Sequence, residues 1–428
     1  MTSYRHPGTI LTDHTFLVPL DHGQPDGDRI EVYAREVVAS DKADARLPWL
    51  LFLQGGPGFP AQRPVGRESW LDRALNDYRV LLLDQRGTGR SSPATRQTLA
   101  RLGSAQAQAG YLTHFRADSI VLDAELIRRE LAGDEPWSVL GQSFGGFCTV
   151  SYLSFAPHGI REAFITGGLP GLTGTADDVY RLTYPQVARR NAAYYRQYPQ
   201  DVERVRRIAA HLAEHAVTLP DATPLTVEAF QSVGGLLGQS TGSHQMHYLV
   251  ESAFTPDGEL SDGFRYRLQA DLSFAARPLY AVLHEACYAQ EAATRWSAQR
   301  IRAEFAEFDA VRALAAGDPV LFTGEMIYPW IIDSYPALRP LREAAGLLAD
   351  RDDWPPLYDP ARLAANEVPV AAAIYYDDMY VPSELSIPTA RAISGLRPWI
   401  TNEYEHDGLR VSSGKILDRL IAMTRGTI

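Results

Sequence analysis

A chain of 428 residues, 45% apolar and 22% charged, has the balance of a globular protein and is long for one compact core. Its formal net charge of −11 and its lack of any basic run argue against nucleic acid or an anionic membrane as a partner. Two cysteines, Cys148 and Cys287, are too few for a disulfide framework or a zinc site. No apolar stretch reaches the roughly 18 residues of a membrane-spanning helix. The N-terminal MTSYRHPGTILTDHTF lacks a basic-then-apolar leader, so the expected setting is the cytoplasm.

Residues 14–20 and 29–39 are rich in β-branched and apolar residues and flank the turn-forming DHGQPDGD. They predict an antiparallel hairpin. Three short apolar runs follow, Trp49–Leu53, Arg79–Leu83 and Trp137–Leu140, each ending in a glycine-bearing loop. Near-continuous apolarity suits strands of a parallel sheet buried on both faces. Between the last two, Asp118–Leu131 has helical apolar spacing behind an expected N-cap at Asp118. Another short strand is expected at Ala163–Ile165. From about 172 to 350 the pattern turns helical, with aromatic-rich amphipathic segments at 178–198, 241–254, 277–291 and 299–315. Strands return at Val368–Tyr375 and Trp399–Asn402, and a helix at 412–424 closes the chain. The pattern predicts a doubly wound α/β domain, 1–171 and 351–428, with a helical cap inserted at 172–350.

The most specific chemistry lies at Gly141-Gln142-Ser143-Phe144-Gly145, directly after an apolar run. This G-x-S-x-G pattern fits a serine at a tight strand-to-helix turn, where residues two places away must be small for the chain to fold back. Such a serine needs a base and the base an acid, in the chain order Ser, Asp or Glu, His. Of eleven histidines only His406 lies beyond the strand at 368–375, in TNEYEHDGL. The loop after that strand offers Asp377 and Asp378. Neighbours there point opposite ways, and Asp378 is the expected partner of His406. Oxyanion donors are expected from the N–H of Phe144 and from the loop Gln54-Gly55-Gly56-Pro57-Gly58, through Gly56 with Gly55 beside it. The run Gly87-Thr88-Gly89 lacks the third glycine of a dinucleotide fingerprint, and no P-loop or metal-ligand cluster is present. Neither cofactor nor metal is therefore expected.

Together QGGPG, DQRGTGRSS and GQSFGG resemble the HGGPG, DQRGxGxS and GxSxGG series of the proline iminopeptidases, serine peptidases of the α/β-hydrolase fold. The resemblance covers residues 45–170 and the regions of Asp378 and His406. It departs from the pattern at Gln54, where the family has histidine, and this bears on the shape of the oxyanion loop. The resemblance implies release of N-terminal proline from small peptides through an acyl-enzyme. It also implies cap carboxylates that bind the free imino terminus. Glu325, within TGEMIYPW, and Glu285, within LHEACY, are the candidates, with Glu251 in reserve. Phe144, Tyr328 and Trp330 are candidates to line a slot for the pyrrolidine ring. A hydrolase of small esters, amides or other non-peptide substrates on the same scaffold is the alternative, and a non-catalytic binding protein the more distant one. The sequence is compatible with a homo-oligomer and specifies none.

Overall fold

A computed structural model describes residues 2–428. Nine strands form one sheet in the order β1-β2-β3-β5-β4-β6-β7-β8-β9. The first three, β1 (Thr2–His6), β2 (Thr9–Pro19) and β3 (Arg29–Ala39), are antiparallel, and β3 runs antiparallel to β5. The rest are mutually parallel: β4 (Trp49–Leu53), β5 (Arg79–Leu83), β6 (Trp137–Gln142), β7 (Ile160–Thr166), β8 (Val370–Tyr375) and β9 (Leu396–Thr401).

Alternate residues of the parallel strands feed two separate cores. Leu51, Leu81, Val139, Ile165 and Ala372 face one side, and Leu50, Val80, Leu140, Phe164 and Ala371 the other. Burial on both faces is why these strands read as unbroken apolar runs. The hairpin is longer than the expected 14–20, because polar Thr12 and Asp13 belong to β2: Asp13 accepts hydrogen bonds from Tyr33 and Arg35 of β3 (2.6 and 3.0 Å). β1 carried no apolar signal, being a largely exposed edge strand held by its backbone ladder.

The helix expected at Asp118–Leu131 spans Ala117–Ala132. Its N-cap is Arg116, not Asp118, and it has no side-chain cap. Asp118 lies in the first turn, where a carboxylate favours the helix dipole. Arg116 instead donates to the carbonyls of Ala289 (2.6 Å) and Pro355 (2.8 Å), tying the core to the helical region and to the segment beyond it.

Between β7 and β8 only helices and two isolated bridges occur among the described residues. They include Ala176–Gln197, Asp201–Glu214, Gly242–Glu251 and Asp262–Leu272. The expected segment 299–315 is broken into Ser297–Arg302, a 3-10 turn at Ala306–Phe308, and Ala310–Ala316. Asp309 starts the last piece by accepting from the N–H groups of Val311 and Arg312. Among the described residues no helix is long and apolar enough to cross a membrane.

The DQRGTGRSS stretch after β5 is a structural knot. Buried Asp84 accepts from the Ala61 N–H (3.1 Å), the Arg90 N–H (2.9 Å) and the Arg63 guanidinium (2.7 and 2.5 Å). Arg86 pairs with Asp123 (2.7 and 2.5 Å), and both side chains are almost fully buried. Asp123→Ala leaves a buried cation uncompensated. It is expected to cost about 3–5 kcal/mol, read as a lowered midpoint in denaturant.

Candidate active site

Ser143 stands between β6 and the helix Phe144–Phe155, with φ 56° and ψ −126°. A non-glycine residue in this region is strained and is held by its surroundings. The surroundings are tight: a Cβ on Gly141 would lie 2.3 Å from the Gly145 carbonyl oxygen, and one on Gly145 1.9 Å from that of Leu53. Only hydrogen fits at either position, so the G-x-S-x-G spacing is a packing requirement. The Ser143 N–H donates to the Thr166 carbonyl of β7 (3.0 Å), fixing the turn to the sheet.

Asp378 follows β8 and His406 follows β9, so both sit on loops at the carboxyl ends of neighbouring strands. Asp378 Oδ2 lies 2.6 Å from His406 Nδ1. Its Oδ1 accepts from the N–H groups of Tyr380 (2.9 Å) and Val381 (3.1 Å), which aims the carboxylate. A carboxylate can only accept, so Nδ1 carries the imidazole proton and Nε2 is left as the basic nitrogen. Asp377 points into solvent. Burial works against a charged His406, but the Asp378 charge and hydrogen bond, with the more distant Glu325, outweigh it. The net effect lifts its pKa above the ordinary imidazole value.

The loop after β4 lies against the serine. A Cβ on Gly55 would meet the Ser143 Cβ at 2.9 Å, and Gly56 adopts φ 146°. Among the described residues neither the Gly56 nor the Phe144 N–H finds an acceptor. Phe144 opens the helix after Ser143, so its N–H lies at the positive end of the helix dipole. Gln54, at the family's histidine position, is buried, and its carbonyl accepts from Gln85 Nε2 (2.9 Å).

Ser143, His406, Gln54, Gly55 and Gly56 line a cavity of about 720 Å³ under the helical region, together with Glu325, Tyr280, Phe59, Phe274 and Tyr380. Glu325 Oε1 accepts from the Tyr280 hydroxyl (2.6 Å). Burial and then the Glu325 charge push Tyr280 well above its ordinary pKa, so its phenol stays a donor.

Other expected residues lie elsewhere. Glu285 is not brought to this cavity. Its two oxygens accept from the N–H groups of Ser297 (3.0 Å) and Ala298 (2.8 Å), capping the helix Ser297–Arg302. Burial raises its pKa to about 7 against those hydrogen bonds. Tyr328 is fully buried in the helical region's core, bonded to the Tyr184 hydroxyl (3.0 Å) and stacked on Trp330 (5.7 Å between centroids). Neither ring lines the cavity: Tyr328 belongs to that core and Trp330, partly buried, packs against it. The Phe144 ring packs on Phe147 (6.2 Å), so only its backbone faces the site. Glu251 is exposed, 3.9 Å from Arg204. The apolar walls come instead from Phe59, Phe274, Tyr280 and Tyr380, which sequence reasoning missed. Phe59 and Tyr380 sit just past motif residues Gly58 and Asp378, and that adjacency was the available signal.

Residues 48–253 match the family model of the α/β-hydrolase fold. A proline iminopeptidase of Aeromonas sobria is 50% identical over 419 residues, covering 98% of this chain and 97% of the relative. One of Aspergillus aculeatus is 38% identical over 440 residues, covering 100% of this chain and 96% of the relative. With identity at that level along its whole length, and an α/β sheet carrying the strained serine, the chain belongs to the proline iminopeptidase family.

Proposed function

We propose that this chain releases proline from the N-terminus of small peptides through an acyl-enzyme on Ser143. The observation that carries the reading is the shared cavity, in which a serine elbow and an Asp378–His406 pair face a carboxylate, Glu325. His406 Nε2 takes the Ser143 hydroxyl proton as Oγ bonds to the prolyl carbonyl carbon. The oxyanion that forms is held by the N–H groups of Phe144 and Gly56, with Gly55 giving the loop its close approach. The carbonyl carbon–nitrogen bond then breaks, and His406 returns the proton to the departing amine. Water repeats the sequence and frees proline. Asp378 holds the imidazole tautomer and stabilises the imidazolium.

Glu325 binds the protonated imino nitrogen, with Tyr280 orienting the carboxylate. A cation enclosed beside the nucleophile needs a paired charge. Residues 172–350 act as the cap that encloses the substrate over the core formed by 1–171 and 351–428. The setting is cytoplasmic and the partners are small peptides. Initial rates on aminoacyl anilides, with and without an N-acetyl group, test the reading. Free proline anilide should be the best substrate and its acetylated form should be inert. Comparable rates on both would overturn it.

The pH profile follows from His406. The base must be neutral, so kcat/KM falls as it protonates. Its raised pKa places the acid limb at higher pH than that of a free imidazole. A limb below the free-imidazole value, in rates measured from pH 4 to 9, would contradict the assignment.

A further inference from the structure

The wall beside His406 carries a cation that the chemistry above does not use. Arg410 lies four residues after His406, within the short helix Gly408–Val411, and lines the same cavity as Ser143. Its guanidinium donates to the side-chain oxygen of Gln142 (3.2 Å), the residue preceding Ser143. Its charge opposes protonation of His406, which places it within electrostatic reach of the imidazole.

The carboxylates nearby make their hydrogen bonds elsewhere, although the Asp407 charge still favours the Arg410 cation. Asp407 Oδ1 accepts from the Ser240 N–H (3.0 Å) and hydroxyl (2.6 Å). Glu405 pairs with Arg190 (2.8 Å) and Asp378 with His406. Two other cations line the cavity: Arg63 is consumed by Asp84, and Arg277 lies over the rings of Phe59 (4.8 Å) and Tyr280 (6.0 Å), on the aromatic wall. Arg410 thus presents guanidinium N–H groups at the cavity with one neutral amide as partner. The site is divided by charge: Glu325 stands where a cationic imino terminus is needed, and Arg410 stands beside the base that protonates the leaving amine.

We infer that Arg410 recognises the carboxylate of the leaving amino acid, so that the enzyme favours prolyl dipeptides, whose leaving group ends in a free α-carboxylate. The inference rests on the prolyl aminopeptidase reading and adds a leaving-group preference to it. A guanidinium binds a carboxylate with paired, charge-assisted hydrogen bonds, and an amide of the same shape accepts only weakly. The cation is reachable by solvent, so a discrimination of roughly tenfold is expected, the equivalent of about 1.4 kcal/mol.

The experiment compares Pro-Gly with Pro-Gly amide. The two leaving amines differ intrinsically, so the reading is the ratio of their kcat/KM values in the parent relative to that ratio in Arg410→Gln. The ratio should fall about tenfold in the variant and recover in part in Arg410→Lys. General damage affects both substrates and cancels. In the parent alone, raising ionic strength should lower the same ratio, a readout that needs no variant. A ratio unchanged by Arg410→Gln, or insensitive to salt, overturns the inference while leaving proline release intact. No turnover of either peptide by the parent would overturn the aminopeptidase reading itself.

Discussion

Ser143→Ala should reduce turnover of proline anilide by roughly five to six orders of magnitude, the scale seen when a serine nucleophile is removed. The fold should survive. The substitution keeps the Cβ, so the backbone at φ 56° is no more strained than before. The hydroxyl makes no hydrogen bond to protein among the described residues, so its loss orphans no partner. Ser143→Gly sharpens the test. It should be equally inactive, but it relieves a conformation that an L-residue resists, and a gain of about 1 kcal/mol is expected after glycine's unfolded-state entropy. Retained activity in either variant would remove Ser143 from the mechanism. A marked loss of stability in Ser143→Ala would mean the hydroxyl has a structural role.

Where sequence reading succeeded and where it did not has a physical pattern. Strands buried on both faces declare themselves as apolar runs, so β4 and β5 were legible to the residue. An edge strand such as β1 buries little beyond part of Tyr4 and leaves no apolar run. Ser143 was legible because its strained turn tolerates nothing larger than glycine two residues before and two residues after it. Chain order singles out the loops of Asp378 and His406, because a parallel sheet brings successive loops to one edge. The helical region was legible only as a class. Glu285 and Glu325 have similar local sequence, each a lone glutamate among apolar and aromatic neighbours, yet one caps a helix and the other faces a cavity. That difference depends on how short helices cross, and local pattern does not carry crossing angles. The same applies to Tyr328 and Trp330, which do not reach the cavity, and to Tyr280, which does.

Glu325→Gln carries the second large effect because it removes charge with almost no change of shape. Glutamine can still accept the Tyr280 hydroxyl through its side-chain oxygen, so the cavity wall should persist. What disappears is the anionic partner of the protonated proline nitrogen. A charge-assisted hydrogen bond contributes about 1.5–3 kcal/mol, so kcat/KM for proline anilide should fall roughly 10- to 150-fold, while a neutral ester loses at most a few-fold. A second readout separates this from general damage. The Glu325 charge helps hold His406 above its ordinary pKa, so the acid limb of kcat/KM should move to lower pH in the variant. Glu285→Gln provides the contrast. There an amide N–H₂ would be turned toward one of two backbone N–H donors, and the expected damage is to stability. If Glu325→Gln depresses ester and proline anilide equally and leaves the acid limb in place, the carboxylate is part of the wall, and the imino terminus is held by another group.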